Sequence, residues 1–102
     1  MFIEWAMVLD QKNYEVRFEH EVNWNNAGYN LQVNGERVFE HKYTLMGPAL
    51  PFDIPVLLNE QAGSVVVRKG RRHIFAELYL DGNLLPTSDA TPGWETGNPF
   101  DT

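Results

Sequence analysis

The chain has no cysteine, which excludes a disulfide framework, a thiol nucleophile and every zinc site that needs thiolate ligands. Its stability has to come from packing. Basic residues are scarce: eight Lys and Arg stand against 14 Asp and Glu, a formal net charge of −6. Such a surface repels nucleic acid and anionic membrane on average, so neither is expected as a partner. No stretch approaches the ~20 apolar residues of a membrane span. The apolar start from Met1 to Asp10 lacks a basic leader, is interrupted by Glu4 and precedes no small-residue cleavage site. A soluble, cytoplasmic protein is the expectation. Glycines fall singly at turns, so no phosphate-binding loop or dinucleotide fingerprint is present, and Ser64 and Ser88 lack a nucleophile-elbow context. No catalytic residue and no cofactor are therefore expected.

What is present suits one packed core. A chain of 102 residues that is 43% hydrophobic, 13% aromatic and 22% charged is the size and composition of a single globular domain. From Tyr14 to Trp24, apolar Tyr14, Val16, Phe18, Val22 and Trp24 alternate with Glu15, Arg17, Glu19, Glu21 and Asn23. Successive strand residues face opposite ways, so this segment reads as a strand with one face on a core and one in water.

Asn25 to Gly28 supplies a turn, and Tyr29, Leu31 and Val33 lead to Asn34-Gly35, the hairpin signal that needs positive φ at both central residues. A two-residue turn there pairs Val33 with Glu36, Leu31 with Val38 and Tyr29 with Glu40. Pro48, Pro51 and Pro55 crowd eight positions and each removes a ladder donor, so 47–55 reads as a connection or an irregular edge, with Val56-Leu57-Leu58 a short strand after it. Ser64–Arg68 and His73–Leu80 predict a further hairpin, and Asp81-Gly82 repeats the turn signal before Asn83-Leu84-Leu85. Residues 1–86 thus form one all-β domain, an antiparallel β-sandwich or partly open barrel of about seven or eight strands. Residues 87–102, rich in Pro and Gly, read as a tail that is flexible or docked through Trp94 and Phe100.

The two turn glycines, Gly35 and Gly82, lie 47 residues apart inside similar apolar-x-apolar-Asx-Gly units. Either turn chemistry repeats by necessity, or two related meanders face each other. The residues Phe18-Glu19-His20, then Tyr29-x-Leu31-x-Val33-Asn34-Gly35-Glu36-x-Val38-Phe39, then Leu78-Tyr79-Leu80-Asp81-Gly82, resemble the small all-β family typified by Fas apoptosis inhibitory molecule, over roughly residues 14–86. The resemblance implies a sandwich of two facing meanders that acts through protein contacts, with no catalytic residues to carry over. The proline-bearing 47–55 stretch departs from that pattern.

Candidate binding residues fall in three places. His20 shares the inward parity of Phe18 and Val22, as a packed core histidine or as part of a pocket between the sheets that would bind a small ligand. Arg68, Lys69, Arg71 and Arg72 hold four of the eight basic residues around Gly70, either guarding a strand edge or projecting together toward an acidic partner. Phe52, between Pro51 and Asp53, is a candidate exposed recognition aromatic. Neighbours in a strand face apart, so Glu19-His20-Glu21 and Glu40-His41-Lys42 cannot chelate a metal locally, and no metal site is expected. The sequence favours a non-enzymatic protein-interaction module over a small-ligand binder. Self-pairing through an edge strand fits the hairpins equally well.

Overall fold

In a computed structural model, residues 1–22, 27–43, 52–69 and 74–91 are described. They form β1 (Phe2–Leu9), β2 (Lys12–Val22), β3 (Ala27–Val33), β4 (Glu36–Tyr43), β5 (Phe52–Leu58), β6 (Gln61–Lys69), β7 (Ile74–Leu80), β8 (Asn83–Leu84) and β9 (Asp89–Ala90). One sheet has the order β4-β3-β2-β1-β9 and the other β5-β6-β7-β8, each antiparallel throughout. Each sheet is thus built on a meander of four consecutive strands, to which β9 is added beside β1 in the first, and the two pack as a sandwich that does not close into a barrel.

The alternation around Phe18 generates this arrangement. Ile3, Trp5, Val16, Phe18, Tyr29 and Leu31 point inward from the first sheet and meet Ile54, Val56, Leu58, Val65, Val67, Ala76, Leu78 and Leu80 from the second in one buried cluster. Burial of this kind stabilises by roughly 25 cal/mol per Å² of apolar surface. The two meanders face each other, and Asn34-Gly35 and Asp81-Gly82 close the third hairpin of each. Four two-residue turns, Asp10-Gln11, Asn34-Gly35, Asn59-Glu60 and Asp81-Gly82, have φ between 49° and 82° at both positions, the mirror-image geometry that matches strand twist.

Two sequence expectations are corrected. The whole of β5 is a regular strand, and Pro55 sits inside it, where an edge position spares the sheet its missing donor. The β3–β4 register follows the expected Val33–Glu36 pair and then slips by one, so that Leu31 opposes Phe39 and Tyr29 opposes His41. Val38 is the extra residue, a β-bulge that turns the larger Phe39 inward beside Leu31. Of the two alternatives for the tail, its start is docked. The Ser88 and Thr91 N–H groups donate to the Glu4 and Phe2 carbonyls at 2.8 and 2.9 Å, and β9 pairs with β1. Trp24, Trp94 and Phe100 lie outside the described residues.

Candidate functional site

The outer face of the five-stranded sheet carries a polar ladder. Arg17 lies 3.9 Å over the Phe2 ring, bonds Glu4 at 2.9 Å, and approaches Glu19 at 2.7 Å through Nε as an ion pair without hydrogen-bond alignment. Asn30, only 2% exposed, donates to Glu19 and Glu21 at 3.4 Å each and accepts from Gln32 at 3.0 Å. Glu40 holds both Arg37 and Lys42, at 3.4 and 3.6 Å. A depression of about 230 Å³ opens over Gly28, between Glu21 and Lys42, where no side chain fills the surface. Its carboxylates are already matched by these partners, and among the described residues no group of three or more His, Asp or Glu side chains could hold a metal.

His20 is half-buried at the end of β2, stacked on Tyr29 with ring centroids 4.5 Å apart, and its backbone exchanges contacts with Met1 at 2.8 and 3.3 Å. Burial, and secondly the N-terminal ammonium, lower its pKa from the ordinary histidine value, so the neutral ring is favoured. The stack continues through Tyr29 to Phe18 at 5.4 Å and to Phe52 at 5.5 Å, which links the two sheets. Phe52 is therefore no free loop aromatic. It lies in β5, half-buried against the core, because strand parity turns it inward with Ile54.

Of the basic cluster, Arg68 lies in β6. Arg68 is on the outer face, where it pairs at 2.8 Å with Glu77, a carboxylate only 6% exposed. The Tyr79 hydroxyl donates to the other oxygen of Glu77 at 3.2 Å, and burial together with that carboxylate raises the phenol above its usual pKa. The Lys69 side chain, Arg71 and Arg72 lie outside the described residues.

The sequence reading passed over the side of the sandwich between β4 and β5. A cleft of about 390 Å³ there is lined by Val33, Val38, Pro55, Val56 and Leu57, with Glu36 at its rim. Val38 is 54% exposed and Leu57 71%. Two signals point to them in retrospect. Val38-Phe39 breaks the alternation of β4, and three consecutive apolar residues in a strand, Val56-Leu57-Leu58, must turn one outward. His20 lines neither this cleft, nor the depression over Gly28, nor a third depression beside Val8 and Tyr14. No protein-family model matches the chain, and neither a curated protein nor a solved structure is found similar to it.

Proposed function

We propose that this chain is a non-enzymatic protein-interaction module. One observation carries the reading: the inner faces of the two sheets are consumed by a single cluster of buried side chains, while Val38 and Leu57 are left exposed together on one side. Large apolar side chains gathered at a surface cleft favour association with another macromolecule. The ionisable groups with short contacts, Arg17, Glu19, Arg68 and Glu77, are engaged with one another, as in a structural network rather than a reaction centre. We also propose a distant kinship with the Fas apoptosis inhibitory molecule-like proteins, on the strength of the two Asx-Gly units and Phe18-Glu19-His20.

Native mass spectrometry of the protein, purified gently from the cells that make it, tests this function. A bound polypeptide in fixed stoichiometry is the expected result. A retained small-molecule mass without any polypeptide overturns it in favour of a ligand carrier.

A further inference from the structure

The cleft between β4 and β5 has edges built against strand addition. A two-residue turn closes on a hydrogen-bonded pair, here Leu58–Gln61, so Val56, Ile54 and Phe52 bond to β6 while Leu57, Pro55 and Asp53 turn their main chain outward. The central one of those three is proline, which has no N–H to offer. Across the cleft, the bulge at Val38 interrupts the free edge of β4, and charged Arg37, Glu40 and Lys42 flank it. Proline, bulge and charge are the devices that stop an edge from templating another strand. Whatever binds here is read by side chains.

The cleft offers apolar walls from both sheets, and packed sheets stand roughly 10 Å apart, which admits one stripe of side chains. A helix laid in a groove presents such a stripe at i, i+3, i+4 and i+7. The charge lining the cleft is acidic: Glu36 is exposed and forms no ion pair among the described residues, and the β4 cations Arg37 and Lys42 are both held by Glu40. Resting on the interaction reading above, we infer that this cleft receives a basic amphipathic helix of a partner protein, with its apolar stripe between Val38 and Leu57 and its cations facing Glu36.

The test uses a short synthetic helix of leucine and lysine, with leucine at helical spacing, and the same peptide with glutamate in place of lysine. Each is titrated into ¹⁵N-labelled protein at low salt. The lysine peptide shifts the amides of Val33, Glu36, Val38, Val56 and Leu57 and binds about tenfold more tightly than the glutamate peptide. The double variant Val38→Asp, Leu57→Asp loses those shifts while keeping its melting temperature, since both side chains are exposed. Glu36→Lys, a second and independent variant, narrows the preference between the peptides. Equal affinity for both peptides, shifts confined to another face, or shifts that survive the double variant overturn the inference. Shifts of the same amides with protein concentration alone assign the cleft to a second copy and overturn it too. Undiminished capture of the native polypeptide by the double variant removes the cleft but leaves the interaction reading standing, whereas a small-molecule adduct removes that reading itself.

Discussion

β1 and β4 flank the same meander and meet solvent in different ways. Beside β1 the chain leaves β8, packs Leu85 against the core, crosses to the other sheet and lays β9 along β1, so that main-chain bonds to Phe2 and Glu4 tie the two sheets together. Beside β4 no described residue crosses, and the gap to β5 is left as an apolar cleft. The difference separates two uses of the same apolar composition. On the strapped side, apolar residues such as Ile3 and Trp5 vanish into the core, and on the open side Val38 and Leu57 remain in water.

Truncating one side chain on each side should give the largest contrast. Trp5→Ala is expected to cost about 3–5 kcal/mol, because it removes a fully buried ring and leaves a cavity, whereas Leu57→Ala should stay within about 0.5 kcal/mol. Chemical denaturation of the two variants decides, and similar losses would erase the distinction. Next in size is the strap itself. Ser88→Pro removes the N–H that donates to Glu4, with an expected loss of about 1–2 kcal/mol. An unchanged denaturation midpoint would mean that the strap lies on β1 without holding it.

A smaller change should go the other way. Glu60 holds φ of 65° without being glycine, and Glu60→Gly creates the Asn-Gly pair that this turn favours. A gain of about 0.5–1 kcal/mol is expected, and a loss in the melting temperature would contradict the assignment of mirror-image turns at the cleft end of β5.

These turns also measure how far the sequence could be read. Asn34-Gly35 and Asp81-Gly82 declared themselves, because glycine adopts positive φ without strain. Asp10-Gln11 and Asn59-Glu60 adopt the same geometry with a residue type that gives no warning, and β1 and the full length of β5 went unread with them. β2 was legible from alternation alone. The bulge at Val38 was not, since it is decided by which of Val38 and Phe39 the far sheet can bury. Docking of β9 rests on main-chain bonds, which composition does not encode. The candidate site fared worse, for a related reason. The proline neighbours of Phe52 hid its strand, although a period of two already turns it inward with Ile54.

The mildest effect joins the two sides. His20 stacks on Tyr29, which in turn touches Phe52 on β5, so the ring series runs from the middle of the first sheet to the open edge. Burial, more than the nearby N-terminal ammonium, lowers the folded-state pKa of His20. In the unfolded chain the ring takes its proton near the ordinary value of about 6.5. Between those two values the unfolded state binds more protons, so stability rises with pH there. The contribution of neutral His20 is complete above about pH 6.5 and is lost as pH falls through that value to and past the folded one. His20→Phe keeps a ring on Tyr29 and cannot titrate. The melting temperature of the wild type should therefore fall more steeply than that of His20→Phe on acidification from neutral pH, with the carboxylates titrating alike in both. Parallel curves would show that His20 is solvated well enough to ionise in place, and that its stack on Tyr29 is looser than the 4.5 Å spacing implies.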